Sequence, residues 1–265
     1  MGKVIMVASG KGGTGKTTFT ANLGTALAMQ EKLVVLVDMD MGLRNLDVAL
    51  SLESNIVYDV SDILDGTCEL DDVLIKDSRC ENLYFIASPQ TRIASEFNEE
   101  KIKELWQMLS ARFDYCIIDA PAGLEGGFKY SLSGADSAII VTVPETAALR
   151  DADRVITVLE ENEIDDIRLV INKIRPSMIG EGIMMNIDDC VDILQIPVLG
   201  LIRDDDEVIK SSLRGDLAVR ADNSVAGQAF KNIALRITGQ DVPIMDIQEE
   251  KLSFIKKLRI LFGKN

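Results

Sequence analysis

The chain has 265 residues, enough for one large α/β domain with a substantial core. It contains no histidine, which removes His-based triads, His zinc sites and His general bases and leaves acid–base work to Asp, Glu or Lys. Its formal net charge is −15, which disfavours broad nucleic-acid binding, because phosphate contact relies on clustered cations.

The chain enters a strand almost at once. KVIMVA at Lys3–Ala8 is a continuous apolar run with no basic leader before it, so no secretory signal is expected. Thr17–Met29 has a helical pattern, and LVVLVD at Leu33–Asp38 is a second strand. NLYFIA at Asn82–Ala87 is a third strand. Glu99–Arg112 follows as a helix with Ile102, Leu105, Trp106 and Leu109 on one face. Tyr115–Asp119 and Ala138–Val143 are short apolar strands, followed by a helix over Ala147–Glu161. Arg168–Asn172, Val198–Ile202 and a late helix at Ala226–Thr238 complete the set. Apolar strands alternating with helices predict an α/β fold: a mostly parallel sheet flanked by helices on both faces, with ligands at the strand carboxyl ends. Cys116 and Cys190 sit in apolar runs and no C-x-x-C pair occurs, so the four cysteines read as reduced thiols. No apolar stretch approaches the ~18 residues of a membrane span, and a cytoplasmic chain is expected.

Gly10–Thr17 reads G-K-G-G-T-G-K-T and fits G-x-x-x-x-G-K-[ST] between a strand and a helix, the setting that pattern requires. Glycines let successive backbone N–H groups converge on phosphate oxygens, and the helix start adds the positive end of its dipole. Lys16 is placed to reach β- and γ-phosphates and Thr17 to offer its hydroxyl to Mg2+. Gly12, Gly13, Thr14, Gly15 and Thr18 complete the cradle. Lys11 is a second lysine inside the loop; read alone, it is a phosphate contact or a solvated side chain.

Two of the strands end in aspartate, at Asp38 and Asp119. A carboxylate after an apolar strand is the arrangement that holds Mg2+ beside a phosphate loop, so both are candidate metal residues. Asp40 lies two residues past its strand and is the candidate to orient or deprotonate an attacking water. Strand-end aspartates also serve in turns; the phosphate loop in the same chain favours the catalytic reading.

The loop K-G-G-T-G-K-T-T resembles the deviant Walker A of the MinD/ParA ATPases. D-M-D-M-G-L-R-N-L-D from Asp38, V-Y-D at Val57–Asp59, I-K-D at Ile75–Asp77 and N-L-Y at Asn82–Tyr84 are similar to the MinD branch of that family. So are Q-T-R at Gln90–Arg92, D-A-P-A-G at Asp119–Gly123 and R-D-A-D-R at Arg150–Arg154, in order and over essentially the whole chain. The resemblance implies a P-loop ATPase that uses ATP and Mg2+ and forms a homodimer with ATP. In it Lys11 crosses to the partner's nucleotide, much as an arginine finger does. It implies that Asp38–Asn45 and Gly123–Gly126 sense the γ-phosphate, and that Arg44, Asn45, Arg150 and Asp151 serve dimer or partner contacts. Asn172 matches a position whose amide reads the adenine edge; a strand-end Asn in a turn is the plainer alternative. After VLGLI the chain departs from the family: Arg203-Asp204-Asp205 replaces the usual Pro-Glu-Asp, so base contacts there are not carried over. The implied role is placement of the division site, with a MinC-like division inhibitor and a MinE-like or other activator as partners and no specific nucleic acid.

The composition divides the chain into residues 1–240 as the ATPase domain, 241–250 as a linker and 251–265 as a tail. The tail holds five cations and no acid, leaving the remainder at −20. Leu252, Phe254, Ile255, Leu258, Leu261 and Phe262 fall at helical spacing among Lys256, Lys257 and their basic neighbours. A helix this short cannot span a bilayer; its composition suits the anionic headgroup layer of a membrane, with packing on the core as the alternative. The tail predicts reversible peripheral binding to the inner face of the cell membrane. Three rival readings are weaker. A ParA-like DNA partitioner needs a basic face, and an iron–sulfur carrier needs bridging cysteines. The FlhG-like flagellar regulators typically carry an N-terminal extension, whereas this chain starts at its first strand.

Overall fold

The structure is a computed structural model that describes residues 1–41, 44–90 and 97–245. Gly42 and Leu43 of the first switch segment, Thr91 and Arg92 of the Q-T-R motif, and every tail residue lie outside the described residues. β1 (Lys3–Ser9) leads through the glycine loop into α1 (Lys16–Ala28), then β2 (Val34–Asp38) and α2 (Leu46–Leu50). Short elements follow: α3 (Val60–Asp65), α4 (Leu70–Val73) and the two-residue β3 (Ile75–Lys76). The chain continues through β4 (Leu83–Ile86), α5 (Glu99–Arg112), β5 (Tyr115–Ala122), α6 (Phe128–Leu132), β6 (Ser137–Thr142) and α7 (Thr146–Glu161). It ends in β7 (Ile167–Ile174), α8 (Pro176–Gly180), α9 (Ile187–Leu194), β8 (Val198–Arg203), α10 (Asp206–Leu213) and α11 (Val225–Ile237).

The strands form one eight-stranded sheet in the order β3-β4-β2-β5-β1-β6-β7-β8. Every pairing is parallel except β3 with β4. The pattern reading finds the seven parallel strands; β3 is too short to show a period. The chain leaves β1 toward β2 on one side and returns through β5 to β6 on the other. The crevice at the carboxyl ends of β5, β1 and β6 is therefore the topological switch point, where open α/β sheets take their ligands.

Both faces of the sheet are covered, which is why the strand interiors are largely apolar. Ile5, Val7, Val34 and Leu36 face the core beneath α1 and α11, where Phe19 meets Phe230. Met6 and Ala8 face the opposite core under α7 and α9, and Val35 and Val37 pack toward Trp106 of α5. Cys80, Cys116 and Cys190 are buried and Cys68 is partly so; all four are free thiols. No helix among the described residues is long and apolar enough to cross a membrane.

Two arginine centres hold the periphery. Asp77, fully buried, pairs with Arg79 at 3.1 Å and Arg220 at 3.0 Å, and Arg79 also donates to the carbonyls of Leu50 and Gly215. This joins the end of α2 to the connection between α10 and α11. Arg236 of α11 donates to the carbonyls of Leu199 (2.8 Å), Val242 (2.7 Å) and Pro243 (2.6 Å). Met245 packs against the core under α11. The segment that begins at residue 241 is thus fastened to the body over its first residues.

Candidate nucleotide site

α1 opens without a side-chain cap and without an acid in its first turn; Gly15, at φ 90°, occupies the cap position. Its first amides are left for an anion. Around Gly12 and Gly13 there is open space where a side chain would begin. The Thr14 hydroxyl is buried with no hydrogen-bond partner among the described residues. A phosphate chain supplies what these groups lack. Gly10 is needed for another reason: a Cβ there would come within 2.2–2.5 Å of the α7 backbone at Asp151 and Ala152. The loop and α7 are in backbone contact.

Beneath the loop, Asp119 gathers the lysine and two of the hydroxyls of α1. Lys16 donates to it at 2.8 Å, Thr17 at 2.7 Å and Thr20 at 3.0 Å, all at a fully buried carboxylate. Asp38 is its cross-strand neighbour and is also fully buried. The Asp38 carboxylate accepts from the amides of Asp40 (2.8 Å) and Leu46 (3.1 Å). Burial, then the charge of Asp119, pushes the Asp38 carboxyl up to about 7, against those two amides and Lys16. Asp40, half-buried, is raised as well; burial is the main cause, with Lys16 opposing it and Asp119 adding to it. One lysine therefore lies among three carboxylates, an arrangement that a divalent cation would neutralise further.

Around this centre the remaining candidates divide. Asn172 and Lys173, at the end of β7, lie against the loop, with the Asn172 amide donating to the Thr14 carbonyl at 2.9 Å and Lys173 to the Gly13 carbonyl at 2.7 Å. Lys11 pairs with Glu145, just before α7, at 2.8 Å. Arg44 is folded onto Asp47 at 2.8 Å, whereas Asn45 and Arg150 are exposed. Asp205 is committed to caps: it accepts from the amides of Glu207 and Ala226 and from the Ser224 hydroxyl. Asp204 pairs with Arg175. Thr20, Glu145 and Lys173 do not emerge from the motif reading. Thr20 follows Lys16 by one helical turn, the single signal that was available for it.

The profile of the CobQ/CobB/MinD/ParA nucleotide-binding domain matches residues 5–219. The septum site-determining protein MinD of Bacillus subtilis is 47% identical over 265 residues, covering 99% of each chain. The chain belongs to the MinD family. Among solved structures, the chain superposes on MinD in the MinC:MinD cell division protein complex of Aquifex aeolicus with a TM-score of 0.86. That match has 39% identity and covers 92% of this chain and 98% of the other. The septum site-determining protein MinD of Pyrococcus horikoshii, complexed with Mg-ADP, gives a TM-score of 0.80 at 29% identity, covering 90% and 97%. Membership in the MinD family makes the chain an ATPase that binds nucleotide and Mg2+ and acts in siting the division septum.

Proposed function

We propose that the chain binds Mg-ATP in the loop from Lys11 to Thr18, pairs with a second copy around it, and through the pair holds a membrane surface and a division inhibitor. The observation that carries this reading is the set of Lys16, Thr17 and Thr20 drawn onto Asp119 directly beneath an uncapped helix start. Mg-ATP supplies the scissile phosphoanhydride and the metal charge. Thr17, Asp38 and Asp119 are the residues that would hold the metal. Lys16 leaves Asp119 for the phosphates. Asp40 holds the attacking water and takes its proton, and a carboxyl raised by burial is the better base. Lys11 leaves Glu145 and neutralises charge on the second copy's phosphates. The second hydrogen of the Asn172 amide and the second lone pair of its oxygen would read the adenine edge.

Residues 241–250 link the domain to the tail at 251–265, where Leu252, Phe254, Ile255, Leu258, Leu261 and Phe262 enter the headgroup layer and Lys256 and Lys257 meet anionic lipid. One such anchor binds weakly; two in a dimer gain avidity of roughly 10²–10⁴. Arg44, Asn45, Arg150 and Asp151 form the pairing and partner surface, and the MinC:MinD complex of the Aquifex relative supports a MinC-like inhibitor as one partner. A MinE-like or other activator would trigger hydrolysis and release. The test is co-sedimentation with anionic liposomes. ATP should carry the chain down, whereas ADP, Lys16→Ala, or truncation before Lys251 should leave it in the supernatant. Equal pelleting with ADP would contradict the reading.

A further inference from the structure

Lys173 has no place in the phosphate motif, yet its backbone is held at φ 55°, in the left-handed region, and β7 shifts register against β8 there. That conformation is uncommon for a residue with a long side chain and marks a place where the surroundings dictate the backbone. The cause is visible on both sides of it. The Lys173 amide donates to the side-chain oxygen of Asn172 at 2.9 Å, which turns the Asn172 nitrogen toward the loop. That nitrogen reaches the Thr14 carbonyl at 2.9 Å, and the Lys173 ammonium reaches the Gly13 carbonyl at 2.7 Å. Gly15 leaves room for the approach: a Cβ there would stand 2.5 Å from the Asn172 nitrogen.

The two carbonyls taken by this pair belong to consecutive peptide planes. In a planar trans peptide the C=O and N–H of one unit point in opposite directions. Holding the Gly13 carbonyl toward Lys173 therefore turns the Thr14 amide away from it. Holding the Thr14 carbonyl toward Asn172 does the same for the Gly15 amide. Both amides are thereby turned away from β7, the orientation in which they can serve as phosphate donors. Gly13 and Gly15, at φ 84° and 90°, have backbones that could swing otherwise. An ammonium on the Gly13 carbonyl also polarises that peptide and strengthens its N–H as a donor.

We propose that Lys173, acting with Asn172, is a positioning residue for the phosphate cradle: it fixes the orientation of the Gly13–Thr14 and Thr14–Gly15 peptides so that their amides meet the phosphate chain. This rests on the loop being the nucleotide site. The role concerns phosphate and is blind to the base, which separates it from reading of the adenine edge.

The test is calorimetric titration of the full chain with two probes in Mg2+ buffer, ATP and inorganic tripolyphosphate, the second having no base. Lys173→Met should weaken both probes by the same factor, about tenfold for one lost charged hydrogen bond. Lys173→Arg, which can still donate to the carbonyl, should restore most of the affinity. Lys173→Gly, which suits the left-handed backbone and lacks the ammonium, should show the same loss as Met and guards against a folding defect. Unchanged tripolyphosphate binding in Lys173→Met or Lys173→Gly would overturn the proposal, whether or not ATP binding falls. Failure of the wild-type chain to bind either probe would instead sink the nucleotide site on which it rests.

Discussion

Asp38 and Asp119 are directly opposed on the parallel strands β2 and β5, both without solvent exposure. Lys16, Thr17 and Thr20 all donate to Asp119, while Asp38, among the described residues, accepts only from backbone amides. Two adjacent carboxylates thus receive unequal support, and burial, then the charge of Asp119, raises the Asp38 carboxyl.

This relationship sets a pH dependence. The Asp38 carboxyl has an ordinary value of 3.8 and is raised to about 7 in the fold. The folded state therefore binds the proton more tightly than the unfolded chain. The stability contributed is fully present below the unfolded value and is lost as pH rises through the folded one. Urea unfolding of the nucleotide-free chain should show lower stability at about pH 8 than at about pH 5.5, and Asp38→Asn should shrink that difference.

Lys16→Ala tests the centre in a second way. It removes the cation from a buried pair and leaves Asp119 with hydroxyl donors alone. The expected loss is about 3 kcal/mol in the nucleotide-free chain, together with loss of ATP hydrolysis. Thermal denaturation and phosphate release check the two effects separately; an unshifted melting temperature would mean that the pair carries no stability.

Lys11→Ala should behave in the opposite way. Its partner Glu145 is well exposed, so the pair is screened and the melting temperature should stay unchanged. ATP hydrolysis should nevertheless fall by about 10³-fold, the scale of an arginine finger. Glu145→Gln should keep hydrolysis, because Glu145 only holds Lys11 before pairing.

Asp77 anchors α2 to the connection before α11. Burial pushes its carboxyl up, but the Arg79 amide and the Arg79 and Arg220 guanidiniums outweigh burial and hold it below the usual range. That stability is present above the unfolded value and lost as pH falls through the folded one. Asp77→Ala should cost about 2 kcal/mol near neutral pH by removing the carboxylate that two arginines share, Arg79 keeping the Leu50 and Gly215 carbonyls and Arg220 keeping Asp216. Asp77→Asn should blunt acid unfolding, followed by tryptophan fluorescence of the buried Trp106.

The sequence makes the parallel strands legible because each is buried on two faces and carries a continuous apolar run, as in Val34–Val37. The phosphate loop is legible because its function fixes glycines at set intervals. Asp38 and Asp119 stand out as charges that end apolar runs. β3 is not legible: two residues at a sheet edge carry no period. Glu145 and Lys173 escape for another reason. Their partners, Lys11 and Gly13, lie more than a hundred residues away, and only the β1-β6-β7 order brings them together. Asp77 was visible only as part of I-K-D, since nothing local announces that Arg220 will reach it.

The fastening of Val242 and Pro243 by Arg236 fixes where any leash to the tail begins. The chain leaves the body beside the amino ends of β1, β6, β7 and β8, away from the phosphate loop. From Met245 to Lys251 the chain advances six residues, a covalent reach of no more than about 22 Å. On the proposed membrane role of the tail, an anchored subunit would therefore ride close against the bilayer with its orientation restricted. Cutting that arginine hold would lengthen the tether and loosen the posture of the whole domain on the lipid.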